Sequence, residues 1–345
     1  MPYYPNLKKL DDQKRRRTVK GLKGLRAALK EQIPARTATD TLLLATWNIR
    51  EFDSGKYGYR DDESYYYIAE ILSRFDLIAV QEIRAGLYPL QHLKSLMGSW
   101  WDFLVTDVTL GTAGNSERMA YLYDTRKVRF TGLAAELVLS KASGEKEEPV
   151  QMARSPYLAG FRAGWAYITL ATVHIYYGDS KPVDTRRLAE ITAFANTLAK
   201  SARKLSASPQ YEPGGEPAPD NLIMLGDFNI FSTTDATMKA IEKAGFIVPP
   251  QLQSIPGSNV EQNKHYDQVA YHKQLARLKP TGKAGVFDFY DTVYKSDDEA
   301  SYAQDRAEKP GQSFKEWRTY RMSDHLPMWI EFGIDDGDTY LDSLL

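Results

Sequence analysis

An aspartate and an asparagine follow the apolar run NLIMLG, which spans residues 221–226. The run has the continuous apolar character of a strand that is covered on both faces. Asp227 and Asn229 come directly after it, and side chains two residues apart on an extended chain point in the same direction. The two side chains can therefore reach one site at the end of a strand. The same pattern also occurs in simple turns, in which Asp and Asn bind the local backbone.

Polar residues recur at the ends of the other apolar runs along the chain. Carboxylates, carboxamides, imidazoles and guanidinium groups all occupy this kind of position: Asn48, Glu82, Glu117, Arg118, Arg154, His174, Asp267, Asp324 and His325. A cap or a turn explains any one of them. Strands that end together, however, also place their last side chains together, so the joint pattern predicts a single polar site.

The residue types in this set are those that hydrolysis of a phosphate ester requires. Oxygen ligands without thiolates suit Mg²⁺ or Mn²⁺, so Glu82, with Asn48 or one of the aspartates nearby, is the predicted cation site. Arg154 is a candidate phosphate clamp, because a guanidinium binds phosphate through paired hydrogen bonds. Two histidines with carboxylate partners form a general base and a general acid. One would activate water, and the other would protonate the leaving oxygen.

The motifs that contain these residues resemble those of the endonuclease/exonuclease/phosphatase superfamily, and most of all those of its deoxyribonuclease I branch. The resemblance covers roughly residues 41–333 in the same order, with TWNIR and QEIR at the start and GDFN and SDHLP as its most specific signatures. These four motifs are also typical of abasic-site endonucleases, sphingomyelinases and inositol-phosphate phosphatases. The deoxyribonuclease branch is favoured by NSERMAYLY, ARSPYLAGF, VHIYYGD, HYDQVAY and VFDF.

The resemblance implies a role for each matching residue. His174 and His325 would flank the scissile phosphate. Glu117 would orient the first of them and Asp267 the second. The other implied roles are positioning of water and phosphate by Asp227 and Asn229, metal binding by Glu82 with Asn48 and Asp324 close by, and contacts to phosphate or DNA by Arg154, Arg84 and Arg118.

The chain departs from the family pattern at a residue that would contact DNA and at the family disulfide. Arg84 matches an arginine that the family inserts into the minor groove of DNA, where a narrow groove attracts it. The tyrosine that accompanies this arginine has no counterpart, because the stretch before Glu117 is shorter here. The chain also contains no cysteine, so the family disulfide is absent, as expected in a reducing compartment.

Apolar and amphipathic segments are mixed throughout the chain, which predicts sheets packed together with helices outside. The resemblance implies an α/β fold, a four-layered α/β/β/α sandwich of two packed, mostly antiparallel β-sheets flanked by helices. We divide the chain into a basic N-terminal helical extension (1–40), a deoxyribonuclease I-like domain (41–335) and an acidic C-terminal tail (336–345). Polar loops are predicted at 141–150, 206–220 and 295–313, and GVFDFYDTVY is predicted to be a strand.

The charge of the chain is unevenly distributed. The net charge is −1, but residues 1–40 hold 11 Lys and Arg against 4 Asp and Glu. Leu22, Leu25, Leu29 and Ile33 form an apolar stripe on a predicted basic helix over residues 11–33. The simplest expectation is that this stripe docks on the main domain. The alternative is a contact with a protein partner or with the phosphate backbone of a nucleic acid.

Length and composition limit the size of the core and the compartments in which the protein is expected. The 345 residues, 43% of them hydrophobic, suffice for one large core. No apolar run approaches the ~20 residues that cross a bilayer, so no membrane span is predicted. The segment MPYYPNLKKLDDQKRRR lacks the apolar stretch of a secretory signal, and a cytoplasmic protein is therefore expected.

Three hypotheses about function follow. The first is a Mg²⁺-dependent nuclease, with Mn²⁺ as a substitute, that cuts DNA endonucleolytically with low sequence specificity; RNA is an alternative substrate. The second is a phosphatase or phosphodiesterase that acts on a small-molecule or lipid phosphate ester. The third is a binding protein that recruits nucleic acid or a partner through the basic helix. The complete set of polar strand-end residues argues against the third.

Overall fold

The computed structural model describes residues 2–109, 115–139, 152–182, 184–205, 210–211, 217–218, 220–307 and 311–345. The predicted loop at 141–150, and most of the one at 206–220, lie outside these residues. The α-helices in the described part are α1 (Asp12–Gln32), α2 (Asp62–Leu72), α3 (Tyr88–Met97), α4 (Thr185–Leu205), α5 (Ala236–Lys243), α6 (Pro250–Gln253), α7 (Ala303–Arg306), α8 (Phe314–Arg321) and α9 (Gly337–Asp342). None of them is long and apolar enough to cross a membrane.

The strands form two six-stranded sheets and one short hairpin. The first sheet has the order β13 (Lys279–Val286), β14 (Met328–Gly333), β1 (Thr41–Phe52), β2 (Leu77–Arg84), β4 (Glu117–Asp124), β3 (Trp101–Val105). The second has the order β11 (Phe246–Ile247), β12 (Asp267–His272), β10 (Asp220–Asp227), β7 (Ala166–His174), β6 (Tyr157–Ala163), β5 (Val128–Glu136). The hairpin pairs β8 (Gln210–Tyr211) with β9 (Pro217–Ala218).

Each sheet contains one parallel pair, β1 with β2 and β10 with β7, among antiparallel neighbours. Alternate residues of β1 serve different layers, as the twofold period of a strand requires. Leu42 and Leu44 pack between the two sheets, whereas Leu43 and Trp47 face the helices outside the first sheet. The predicted four-layered sandwich is confirmed.

Helix α1 is part of this sandwich. Its apolar stripe, which includes Leu22, Leu25 and Leu29, is buried in the same cluster as α2 and the outer face of β1. Its basic residues meet acidic partners: Arg17 lies 2.6 Å from Glu63 and 3.0 Å from Asp305. Docking on the main domain, the simplest expectation from the sequence, is what the structure shows, and it brings the positive extension against a negative surface.

Two local predictions are wrong. The strand predicted for GVFDFYDTVY lies earlier, as β13, and Phe289–Asp291 forms a 3-10 turn whose aromatic rings fill the core outside the first sheet. The described part of the predicted loop at 295–313 is largely helical, with a 3-10 segment at Ser296–Tyr302 followed by α7. Tyr302 is buried there, and its ring lies 3.8 Å below the guanidinium of Arg17. The helix α1 and this segment therefore order each other.

Candidate active site

Strand register places three of the predicted residues in one row of the second sheet. Parallel pairing aligns Asp227 of β10 with His174 of β7, and antiparallel pairing aligns it with Asp267 of β12. Residues aligned on neighbouring strands project from the same face. Gly226 makes the close approach possible: its φ is +136°, and a Cβ atom would lie 2.2 Å from the carbonyl oxygen of Val173.

Irregular pairing in the first sheet positions the other half of the site. The register of β1 against β2 shifts between Asn48 and Phe52, and that of β2 against β4 shifts just before Ile83. Glu82 sits inside this irregularity with a φ of 61°, in the left-handed region that non-glycine residues rarely adopt. The bulge re-aims the Glu82 side chain toward the site. Beyond it, Arg84 aligns with Glu117 at the start of β4.

The two imidazoles face each other across the carboxylate of Asp227. Its Oδ2 atom lies 3.4 Å from Nε2 of His174 and 3.7 Å from Nε2 of His325. The other nitrogen of each ring meets a carboxylate of its own. Nδ1 of His174 lies 3.0 Å from Glu117, and Nδ1 of His325 lies 2.8 Å from Asp267. Nδ1 of His325 is hydrogen bonded to Asp267, whereas Nδ1 of His174 lies within ion-pair distance of Glu117 without a hydrogen bond. Both rings present Nε2 to one space, as an acid–base pair requires.

His325 is fixed by contacts from both sheets. Its carbonyl accepts a hydrogen bond from Nε1 of Trp47 at 2.9 Å, and its backbone N–H donates to Oγ of Ser323 at 3.0 Å. The ring of Tyr266 packs against its imidazole, with 5.5 Å between the centroids. Burial disfavours the charged imidazole, but the carboxylates of Asp267, Asp227 and Asp324 together outweigh burial and raise the pKa of His325 well above its ordinary value.

His174 belongs to a charged cluster with Glu117 and Arg154. Nε of Arg154 donates to Oε2 of Glu117 at 2.7 Å, and its Nη1 reaches the carbonyl of His174 at 3.4 Å. Burial favours the neutral carboxyl, but His174 and Arg154 outweigh it and lower the pKa of Glu117 to about 2. Glu117 therefore stays ionised and holds both the imidazole and the guanidinium in place.

Asn48 links the two sheets at the floor of the site. Its Nδ2 donates to Oε1 of Glu82 and to Oδ2 of Asp227, both at 2.9 Å. Glu82 also accepts the backbone N–H of Glu51 at 2.8 Å. Burial, together with the negative charges of Glu117 and Asp324, raises the pKa of Glu82. A buried carboxylate among other carboxylates is a place where a cation is stabilised.

The donor set suits a hard divalent cation. Oδ1 of Asn48 is buried without a hydrogen-bond partner beside Glu82, so an amide oxygen and a carboxylate are available together. Mg²⁺ uses one or two carboxylates, waters and substrate phosphates rather than a full protein cage. Within the described ranges, no group of three His, Cys, Asp or Glu side chains is arranged to hold a metal ion by itself. Asp324 stands further out, in an ion pair with Arg50 at 3.4 Å.

The remaining predicted residues lie around this centre. Asn229 donates from Nδ2 to the carbonyl of Ile175 at 2.8 Å, and its backbone N–H donates to Asp227 at 2.9 Å. Arg84 pairs with Glu51 and lies 3.8 Å from Glu117, so it is engaged with the protein rather than extended into solvent. Arg118 is also engaged, since its Nη1 donates to the carbonyl of Thr106 at 2.6 Å.

Sequence reasoning missed three residues that support the site. Tyr266 covers His325, and Ser323 connects His325 to Asn48, whose carbonyl accepts its hydroxyl at 2.7 Å. Arg50 forms an ion pair with Asp324, and its Nη2 donates a hydrogen bond to the hydroxyl of Tyr320 at 2.9 Å. Each lies inside a motif already singled out, HYDQV, SDHLP or TWNIR, but its role depends on contacts between distant segments.

Comparisons with known proteins agree with the fold and the motifs. No protein-family model matches the chain. A protein of Thioalkalivibrio sp. (strain K90mix) named deoxyribonuclease is 26% identical over an alignment of 320 residues, and the match covers 91% of this chain and 76% of the relative. An endonuclease/exonuclease/phosphatase family protein from Bacteroides thetaiotaomicron has a similar structure, with a TM-score of 0.53, 14% identity and coverage of 86% of this chain and 95% of its own.

A second solved structure, that of D. rerio TDP2 with a single-strand DNA product, has a TM-score of 0.51 and 15% identity over 85% of this chain and 98% of its own. At such identities the likeness establishes the fold alone. The chain has the endonuclease/exonuclease/phosphatase fold, and it has a distant relative that is named deoxyribonuclease.

Proposed function

We propose that this protein is a metal-dependent nuclease that hydrolyses phosphodiester bonds of DNA. The observation that carries the proposal is the pair of imidazoles that face each other across Asp227, each with a buried carboxylate at its Nδ1. Hydrolysis of a phosphodiester needs a base at the attacking water and an acid at the leaving oxygen. The Nε2 atoms of His174 and His325 are these two groups in the proposal.

In the proposed step, one imidazole accepts a proton from water while the water oxygen attacks phosphorus. The bond from phosphorus to the leaving oxygen breaks, and the other imidazole donates a proton to that oxygen. Glu117 and Asp267 stabilise whichever imidazole is positively charged and fix its orientation. The reaction is a hydrolysis, so water and the phosphodiester are its only reactants.

The neighbouring side chains position the phosphate and the water. Arg154 lies beside His174 and is held by Glu117, so its guanidinium is oriented before a phosphate arrives. Oδ2 of Asp227 lies between the two Nε2 atoms. The attacking water oxygen and the leaving oxygen exchange protons with these imidazoles, so they must lie in the same space. Asn229 is held by two hydrogen bonds, from its side chain to the carbonyl of Ile175 and from its backbone N–H to the carboxylate of Asp227, and it lines this point with Asp227.

The proposal includes Mg²⁺, with Mn²⁺ as a substitute, held by Glu82 and by Oδ1 of Asn48 with Asp324 nearby. When bound, such a cation supplies positive charge that stabilises the phosphate oxygens as the bond to the leaving group breaks. The chain itself contributes the buried negative environment of Glu82 and the unpaired amide oxygen. A cation at this point would offset part of the cost of burying both groups.

DNA is proposed as the substrate because the distant relative is named deoxyribonuclease. RNA is the alternative polymer, since nothing in the acid–base pair discriminates the sugar. The second candidate function is hydrolysis of a small-molecule or lipid phosphate ester, which the same pair of imidazoles would catalyse.

The test is incubation of the purified protein with supercoiled plasmid in Mg²⁺, in Mn²⁺ and in EDTA, beside His174→Ala. A matched control is His272→Ala, because His272 ends the strand β12 that Asp267 begins. We expect nicking that needs the metal, disappears in His174→Ala and persists in His272→Ala. Plasmid and single-stranded DNA that both stay intact with folded protein and metal present would contradict the proposal, and a panel of small phosphate esters would then test the second candidate.

A further inference from the structure

An aromatic pocket of about 550 Å³ lies beside the candidate active site. Its volume is within the range of small-molecule binding sites. Tyr59 precedes α2, Tyr65 lies on α2, and Tyr88 and His92 lie on the first turns of α3. The pocket therefore lies between the segment that follows β1 and the segment that follows β2, two strands that contribute Asn48 and Glu82 to the site.

Two of the aromatic rings in this pocket are stacked on each other. The rings of Tyr88 and His92 are parallel, with 2° between their planes and 5.9 Å between their centroids. Tyr65 is buried and meets His92 edge-on at 4.8 Å. Tyr88 and Tyr59, in contrast, are 72% and 71% exposed at the rim. The rings of Tyr59 and Tyr88 are thus available to a planar ligand. The rings of Tyr65 and His92 pack against each other at the bottom of the pocket.

The pocket shares a wall with the acid–base pair. Arg84 lines the pocket, and its Nη1 lies 3.8 Å from Glu117, the carboxylate that touches Nδ1 of His174. Nε of Arg84 is buried and has no hydrogen-bond partner. Asp53 lies on the other side, where it accepts the hydroxyl of Tyr65 at 3.2 Å. A cationic and an anionic side chain therefore lie in the walls of the pocket, beside the stacking faces.

We propose that this pocket binds an unpaired nucleobase of the substrate strand, next to the phosphate that is cleaved. The proposal rests on the nuclease function and specifies its substrate as single-stranded or locally unpaired. A base in a duplex has both faces covered by its neighbours, so it reaches a stacking face only after leaving the stack. Stacking on aromatic side chains tolerates any base, which gives a preference for unpaired strands without a sequence preference.

The first test uses a dinucleotide that contains one phosphodiester bond, together with analogues in which either base is replaced by hydrogen. Wild type, Tyr59→Ala, Tyr88→Ala and the control Tyr340→Ala are compared. Tyr340 is also an exposed tyrosine, but it lies on α9 beyond the end of β14. We expect removal of one base to lower kcat/KM of the wild type by roughly 5- to 100-fold, mainly through KM.

Each pocket variant should lose a similar factor on the intact dinucleotide and little more on the analogue without that base, because both changes remove one interaction. Tyr340→Ala should behave as the wild type. Pocket variants that cleave the intact dinucleotide at the wild-type rate would overturn the pocket proposal. A wild type that cleaves neither the dinucleotide nor plasmid would overturn the nuclease proposal itself.

A second measurement needs no turnover. A single-stranded oligonucleotide with 2-aminopurine is bound to His174→Ala protein, and its fluorescence is compared with that of the same oligonucleotide in a duplex. Stacking on the tyrosines should quench the base in the single strand, and Tyr88→Ala in the same background should reverse the quenching. Equal quenching with and without Tyr88, or tighter binding of the duplex, would overturn the proposal.

Discussion

Oδ2 of Asp227 lies 3.4 Å from Nε2 of His174, and the same atom lies 3.7 Å from Nε2 of His325. Strand register produces the first of these contacts, because Asp227 and His174 are aligned on parallel neighbours. The second contact joins the two sheets. One carboxylate oxygen therefore sets the distance between the proposed base and the proposed acid.

Replacement of Asp227 by Asn should reduce kcat while the protein stays folded. The amide has nearly the same size, but it removes the negative charge between the imidazoles and one acceptor for Asn48. We expect a loss of roughly 10²- to 10⁴-fold, the range of acid–base contributions. The rate of plasmid nicking measures it, with Asp338→Asn, at an exposed position on α9, as the control.

Combination with His174→Ala sharpens this prediction. Residues that act as one unit are strongly non-additive, so the double variant should be about as active as His174→Ala alone. Losses that multiply would mean that Asp227 acts independently of His174. Circular dichroism and thermal unfolding of each variant separate a catalytic loss from loss of structure.

Removal of the Glu82 carboxylate should abolish stabilisation by metal. Glu82 is buried among negative charges, so Mg²⁺ that binds the folded state raises the free energy of unfolding, by about 2.7 kcal/mol at a concentration 100 times Kd. Glu82→Gln should unfold at the same temperature with Mg²⁺ and with EDTA. Glu242→Gln, at an exposed position on α5, should keep the wild-type response. A Glu82→Gln protein with an undiminished Mg²⁺ shift would place the cation elsewhere.

The fold and the row of polar residues could be predicted because both follow from local patterns. Apolar runs mark strands, and His174, Asp227 and Asp267 lie at strand ends, which meet at one edge of a sheet. The setting of Glu82 could not be predicted, because it depends on irregular pairing on both sides of β2. A sequence pattern does not show where two strands lose register.

Ion pairs and packing between distant segments were also beyond sequence reasoning. Arg84 fits a residue that is extended toward DNA, yet its partner Glu51 belongs to another strand. The polar sequence of residues 295–313 predicts a loop. Burial of Tyr302 against α1 orders the part at 296–307. Tertiary contacts outweigh local propensity in both cases.

Asp124 should protect the fold against acid. Burial opposes its ionisation, but hydrogen bonds from Arg126 and Arg36 outweigh burial and lower the pKa of Asp124 to about 2. An aspartate in the unfolded chain titrates near ~3.9. The folded state thus binds this proton more weakly, so the stabilisation is present above pH ~4 and is lost as the pH falls toward 2.

Asp124→Asn should therefore lower the free energy of unfolding by about 1 to 3 kcal/mol at pH 7, and the difference from wild type should shrink as the pH falls from 4 to 2. Urea denaturation at a series of pH values measures both quantities. The exposed Asp338→Asn serves again as the control, with little expected effect. A difference that stays constant down to pH 2 would mean that Asp124 acts through shape rather than charge.

The basic helix α1 should contribute stability rather than an independent binding function. Leu25 is completely buried against the main domain, and its truncation to Ala should cost about 2 to 5 kcal/mol. Val19→Ala, on the exposed side of the same helix, should cost about 0.5 kcal/mol or less.

Charge on α1 provides an independent comparison. Arg17 is held by Glu63 and Asp305 and covers Tyr302, whereas Lys23 on the same helix is exposed. Arg17→Ala should lower the unfolding temperature, because it removes the cation that pairs with the buried carboxylate of Glu63, while Lys23→Ala should leave the unfolding temperature unchanged. If α1 instead left the domain to bind a partner, Arg17→Ala, Lys23→Ala and Leu25→Ala would all unfold at the same temperature. Lys23→Ala would then weaken the binding of nucleic acid. Because Leu25 and Arg17 contact the main domain whereas Val19 and Lys23 are exposed, we expect only the first pair of truncations to lower stability.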